Sequence, residues 1–175
     1  MEWFWNGAWR SGVQNGRMFF KDIPEAKGTL DFVGLNYYTH VLVGPASVSL
    51  LKMKFPKRRQ EVATEFGYPM YAEGLRRAIE FLAPLNVPIE ITENGVADAE
   101  DTLRTEHLRR HLWVLSNAVK DGHDVRSYHH WSLMDNFEWA EGYSMRFGLH
   151  RVDFESQERT LRPSGEVYKA IVGRR

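Results

Sequence analysis

The chain has 175 residues, its 23 Lys plus Arg are matched by 23 Asp plus Glu, and it contains no cysteine. The length suits one domain with a substantial core. Zero formal charge argues against nucleic acid or an anionic membrane as a partner, and the missing thiols exclude a disulfide framework or thiolate metal site. No apolar run is long enough to span a bilayer. The start, M-E-W-F-W-N-G-A-W-R, lacks the basic residues and long apolar stretch of a secretion signal, so a cytoplasmic location is expected.

No repeat or low-complexity tract interrupts the elements. Residues 31–38, D-F-V-G-L-N-Y-Y, are apolar enough for a buried strand. Residues 52–61, K-M-K-F-P-K-R-R-Q-E, are basic and read as a solvated loop. A nucleic-acid patch is the competing reading, disfavoured by the neutral charge. Tyr71, Leu75, Ile79 and Leu82 recur at helical spacing and predict a helix over 71–83. Residues 87–97, V-P-I-E-I-T-E-N-G-V-A, predict a buried strand closed by a sharp Asn-Gly turn, with Glu93 at its end.

A helix is predicted over 102–121, capped by Asp101 or Thr102 and ended by Asp121-Gly122. Its apolar stripe would be Leu108, Leu112, Leu115 and Val119. Residues 125–133, V-R-S-Y-H-H-W-S-L, predict a third strand. A last helix starts near Pro163 with Val167, Ala170 and Ile171 facing inward. Strands alternating with helices imply a parallel sheet with right-handed crossovers, whose working residues lie at the C-terminal strand ends. Three groups fall there: Asn36-Tyr37-Tyr38, Glu93-Asn94-Gly95 and the segment after Trp131.

That last segment, W-S-L-M-D-N-F-E-W-A-E-G over 131–142, sets Asp135, Glu138 and Glu141 among Trp131, Phe137 and Trp139. Carboxylates interleaved with indoles suit a sugar: a pyranose packs its C–H face on an aromatic ring and offers its hydroxyl rim to charged acceptors. The residues alone equally fit core tryptophans beside solvated loop acids. His107 and His111 stand four apart, a metal-compatible spacing. The Glu that a zinc-protease motif needs after the first His is here Leu108.

Together, I-T-E-N-G, G-L-N-Y-Y-T, W-S-L-M-D-N-F-E-W and E-G-Y-S-M-R-F-G-L resemble glycoside hydrolase family 1, as does the helix pattern D-x-x-R-x-x-H-L-x-x-H-L. The resemblance runs from about Lys27 to Tyr168. It implies a retaining β-glycosidase of β-glucosidase type on a (β/α)8 barrel, with no cofactor and with His107 and His111 as helix-packing residues. Glu93 matches the catalytic nucleophile, and Tyr38 the tyrosine that hydrogen-bonds it. Asn36 belongs to the same N-Y-Y motif at the substrate site. Glu138 matches the carboxylate that binds two sugar hydroxyls, Trp131 the ring under the sugar, Trp139 a further sugar contact and Phe147 an aromatic of the same subsite. The 6-phosphate-binding members carry serine, lysine and tyrosine where this chain has Glu138, Met145 and Phe147, so unphosphorylated β-glycosides are expected.

The resemblance also implies what the sequence lacks. Retaining hydrolysis uses two carboxyl groups about 5 Å apart, and the family's acid motif, T-x-N-E-P, does not occur here. Three strands are legible where a barrel has eight. The expectation is a single partial domain over 1–175, strands six to eight of the barrel, preceded by a helix and loop over residues 1–26. Alone it would be inactive or very weak. Its open edges would seek a complementary N-terminal barrel chain or self-associate. A non-catalytic sugar-binding remnant is the third expectation.

Overall fold

The computed structural model of the chain describes residues 8–14, 17–22, 24–26, 28–40 and 61–173. Of the predicted basic loop, only Glu61 lies among them. The described chain opens with an antiparallel hairpin, β1 (Ala8–Gln14) and β2 (Arg17–Asp22), and a 3-10 turn, Pro24–Ala26. This corrects the helix expected within 1–26. The dipeptide Asn15-Gly16 between the two strands is a strong hairpin signal in the sequence.

A parallel sheet follows in the order β3 (Val33–Asn36), β4 (Ile89–Asn94), β5 (Val125–His130). Helix α1 (Glu73–Leu82) lies between β3 and β4 in the chain, and α2 (Arg104–Lys120) between β4 and β5. An antiparallel pair, β6 (His150–Val152) and β7 (Arg159–Leu161), precedes α3 (Pro163–Val172). The parallel sheet and its crossover helices agree with the predicted alternation. The strand predicted over 125–133 stops at His130.

Burial follows the strand period of two. Ile89 and Ile91 of β4 are buried against Leu75, Ile79 and Leu82 of α1 and Val114 and Ala118 of α2. Each such aliphatic side chain is worth about 1.5–3 kcal/mol. The predicted inward face of α1 is the observed one for Leu75, Ile79 and Leu82.

Helix α2 is rotated from its predicted stripe. Its buried face is Arg104, His107, Leu108, His111, Val114 and Ala118, while Val119 is exposed. An arginine and two histidines occupy positions where a hydrophobic pattern seeks leucines, so the leucine spacing pointed partly off the true face. The cap also differs. Asp98, not Asp101 or Thr102, accepts the N–H groups of Leu103 (2.7 Å) and Arg104 (2.9 Å). Asp101 turns instead to the N–H (2.8 Å) and hydroxyl (2.6 Å) of Ser164, tying the start of α3 to the start of α2. On α3, Ser164 and Gly165 are buried, whereas Ala170 and Ile171 are exposed rather than inward. A side chain at Gly165 would meet Leu161 Cδ1 at 2.3 Å, so α3 docks through its small N-terminal residues.

Candidate active site

The site begins with an irregularity in β4. Leu35 pairs with Ile91, but the next residue, Asn36, pairs with Glu93. On the other side Ile91 pairs with Tyr128 and Asn94 with His130. Against both neighbours β4 carries one extra residue between Ile91 and Asn94. Such a bulge re-aims the side chains beyond it. Strict alternation would send position 93 to the helix side with Ile89 and Ile91. With the extra residue, it is Asn94 that is fully buried and Glu93 that is half-exposed.

Glu93 then meets Tyr38. The Tyr38 hydroxyl donates to Glu93 Oε2 at 2.7 Å. Burial first, then this hydrogen bond and the charges of Glu93 and Glu138, push the Tyr38 hydroxyl far above its ordinary range. It therefore stays protonated and donates to the Glu93 carboxylate. Phe147, nearly buried, meets the Tyr38 ring edge-on, with centroids 6.2 Å apart, and also packs on Phe66. It supports Tyr38.

The backbone around this pair is fixed on both sides. Tyr37 N–H donates to the Glu93 carbonyl at 2.9 Å, and Asn94 Nδ2 donates to the Tyr37 carbonyl at 2.7 Å. Tyr128 of β5 donates its hydroxyl to Asn94 Oδ1 at 2.9 Å. Trp131 N–H donates to the Asn94 carbonyl at 3.0 Å. A Cβ on Gly95 would fall 1.8 Å from the Trp131 carbonyl oxygen, so only glycine lets the loop after β5 come this close. This corrects the turn predicted at Asn94-Gly95: the strand runs through Asn94, and the glycine serves close approach.

Trp131 is thereby held beside the strand end, and its indole N–H points to Glu138 Oε2 at a long 3.4 Å. Asn36, on the exposed side of β3, accepts a bond from the Thr92 hydroxyl at 2.6 Å. Trp139 is 81% exposed and Glu141 is exposed. Asp135, one of the three acids of the loop, is no site group. It is buried, salt-bridged through both oxygens to Arg162 at 3.0 Å, and accepts the Gly148 N–H at 2.9 Å. The structure thus joins Tyr38 to Glu93 directly and Trp131 to Glu138, with Asn36 on the neighbouring strand and Phe147 behind Tyr38. Tyr128 was not singled out by sequence pattern, and Asn94 only as part of the group Glu93-Asn94-Gly95. Asn94 looked like turn chemistry, and Tyr128 like an ordinary strand aromatic.

A cleft of ≈ 490 Å³ lined by Arg146, Asp153, Phe154 and Arg162 includes none of these residues. Of its lining, Arg162 is paired with Asp135 and Arg146 lies over the Phe154 ring at 4.4 Å. Among the described residues no group of His, Asp or Glu could hold a metal, and no helix is long and apolar enough to cross a membrane.

Known proteins are similar to this chain in sequence and fold. The family described as Glycosyl hydrolase family 1 matches residues 13–175. A β-galactosidase of Saccharolobus solfataricus is 36% identical over 97% of this chain and 36% of its own length. A β-glucosidase of Agrobacterium sp. is 39% identical over 86% of this chain and 36% of its own. The solved β-glycosidase from Pyrococcus horikoshii superposes with a TM-score of 0.79 at 34% identity, over 97% of this chain and 39% of that one. The chain therefore spans between a third and two fifths of the length of these relatives. They are (β/α)8 barrels, and the fold described above is part of one. The chain belongs to glycosyl hydrolase family 1.

Proposed function

We infer that the chain carries the nucleophile side of a retaining β-glycosidase acting on unphosphorylated β-glucosides or β-galactosides. Its three parallel strands stand for barrel strands six, seven and eight, within one partial domain over 1–175. The observation that carries this reading is the Tyr38–Glu93 pair, 2.7 Å apart at the C-terminal ends of adjacent parallel strands. In such folds that end of the sheet is where chemistry sits.

In the proposed reaction Glu93 attacks the anomeric carbon. The bond from that carbon to the leaving oxygen breaks as the bond to the Glu93 carboxylate forms. Water then attacks the same carbon and regenerates the carboxylate. No electrons are transferred, so the chemistry calls for no redox cofactor. Trp131 offers its ring to the sugar face, with Glu138, Asn36 and Trp139 as hydroxyl and ring contacts and Phe147 holding Tyr38. The general acid comes from outside this sequence, and its absence costs about a hundred- to ten-thousandfold.

The missing acid suggests a specific test. A dinitrophenolate leaving group departs without a proton, so the first step with a dinitrophenyl 2-deoxy-2-fluoro-β-glucoside needs only the nucleophile. Mass spectrometry of the chain should show one added fluoroglucosyl group on Glu93, with negligible turnover of an alkyl β-glucoside. Label on another residue, or none at millimolar reagent, would reject the assignment.

A second reading rests on the sheet itself. Among the described residues β3 and β5 each pair with β4 alone, and each presents an open edge. A complementary barrel chain carrying the acid, or a second copy, would cover them. Size-exclusion chromatography across a concentration series decides this: a monomer at every concentration would count against self-association. A sugar-binding remnant without catalysis would titrate with glucose or cellobiose in a calorimeter yet leave Glu93 unlabelled.

A further inference from the structure

We propose that Asn94 is a positioning residue that sets Tyr38 against Glu93, and that Tyr128 is its anchor. The proposal rests on the reading of Glu93 as nucleophile and goes beyond it by naming what fixes the nucleophile's geometry.

Three observations carry it. Asn94 is completely buried, yet both polar atoms of its amide are bonded to neighbouring parts of the sheet: Nδ2 donates to the Tyr37 carbonyl at 2.7 Å, and Oδ1 accepts from Tyr128 at 2.9 Å. The residue it grips, Tyr37, directly follows β3 and precedes Tyr38, and its N–H is already bonded to the Glu93 carbonyl at 2.9 Å. Both backbone polar groups of Tyr37 are therefore locked to the Glu93-Asn94 dipeptide. The Tyr38 ring begins its reach from a backbone that cannot slide relative to the carboxylate. Finally, the bulge in β4 turns Asn94 inward and Glu93 outward together. A side chain one residue from the nucleophile thus acts on the nucleophile's partner without touching substrate.

The arrangement has a direction. Tyr128 is a donor to Asn94 Oδ1, and burial pushes its hydroxyl well above the ordinary tyrosine range, so it remains a donor. With Oδ1 committed, the amide can present only Nδ2 to the Tyr37 carbonyl. An inverted amide would set its oxygen against that carbonyl and its N–H₂ against a hydroxyl already turned to donate. The acceptor-only Tyr37 carbonyl and the Tyr128 hydroxyl together fix the orientation of the amide, and the amide holds the chain leaving β3.

The test uses the whole chain and the fluoroglucosyl reagent described above, with Tyr128→Phe as the conservative variant and Asn94→Ala as the severe one. The rate of Glu93 labelling at saturating reagent should fall roughly tenfold in Tyr128→Phe and up to about a hundredfold in Asn94→Ala, the scale of a small misplacement of reacting groups. The half-saturating reagent concentration should stay the same. In a Tyr38→Phe background both changes should have no further effect, because they act through Tyr38. Wild-type labelling rates in both variants, or losses that add to that of Tyr38→Phe, overturn the proposal.

A second measurement is independent of sugar chemistry. The Tyr38 hydroxyl proton, bonded to a carboxylate, should give a downfield NMR resonance that Tyr38→Phe removes. Tyr128→Phe should broaden or shift it while far-UV circular dichroism is unchanged. An unmoved resonance overturns the positioning role. A chain whose Glu93 takes no label but whose resonance moves rejects the nucleophile assignment and leaves the positioning geometry supported.

Discussion

Two buried polar regions flank β4, and they are built on opposite rules. At its C-terminal end, Asn94, Tyr37, Tyr38, Tyr128 and Glu93 are joined donor to acceptor across three strands. Beneath α2, His107 and His111 stack with ring centroids 3.9 Å apart, and both ring nitrogens of His107 and Nε2 of His111 have no hydrogen-bond partner among the described residues. His111 Nδ1 lies 2.8 Å from the His107 carbonyl, so that nitrogen carries the proton of the neutral ring. The first region fixes geometry through matched bonds. The second tolerates its polar atoms only by keeping the rings uncharged. A polar side chain under a helix can thus be mere packing, while polar side chains joined between strands mark a place where position matters.

The largest effect should come from breaking the matched region at its carboxylate. Glu93→Gln keeps the shape but removes the proposed nucleophile, so fluoroglucosyl labelling should vanish while the thermal midpoint changes little. Retained labelling would mean that the matched bonds serve stability alone.

Next comes a matched ion pair. Asp135 is buried and paired with Arg162. Asp135→Ala would strand that arginine and should lower unfolding free energy by about 3–5 kcal/mol in denaturant titration. A loss under about 1 kcal/mol would show that the pair is dispensable.

The unmatched region predicts the pH dependence. Burial, the largest cause in each case, holds His111 down at about 4, His130 at about 3 and His107 well below its ordinary value. Nearby rings and cations add to this: His111, His130 and Arg104 at His107, Arg104 and His111 at His130, and Arg110 at His111, where the His107 carbonyl and Glu73 oppose it as a backbone bond to Phe147 does at His130. Between these values and the ordinary 6.5 the unfolded chain binds more protons than the folded one. Stability is therefore complete above pH 6.5 and falls as pH drops from 6.5 toward 4. Each histidine contributes a slope of up to about 1.4 kcal/mol per pH unit. Denaturant titrations from about pH 7.5 down to about pH 5 should show the slope, and His107→Gln should flatten it. A flat wild-type profile would mean that the rings reach water.

The smallest effect belongs to Trp139. At 81% exposure, Trp139→Ala should change stability by no more than about 0.5 kcal/mol. Weaker sugar binding by this variant in calorimetry would then report that the indole touches the sugar directly.

Much of this was legible in one dimension. Apolar runs at strand spacing and Leu75, Ile79 and Leu82 at helical spacing predict the parallel β-α alternation, and the motif around Glu93 marks the site end of the sheet. What escaped did so for physical reasons. The polar residues on the buried face of α2 hid that face from a hydrophobic pattern. The Asp98 cap works from five and six residues upstream of the N–H groups it accepts. The hairpin over 8–22 has its local signal in Asn15-Gly16, while the helix expected over 1–26 came with the barrel resemblance and not from local spacing.

Residue type and local spacing are written along the chain, and they were enough for the family motifs, the order of the parallel strands with their crossover helices and the identity of the acids. Which acid faces what was left to the packed sheet. Asp135 sank into an ion pair, since Arg162 and the Gly148 N–H reach it from distant parts of the chain. Glu93 came out beside Tyr38, since one extra residue in β4, counted against two neighbouring strands, reverses the side on which positions 93 and 94 emerge. Pairing register belongs to the sheet and not to any one strand.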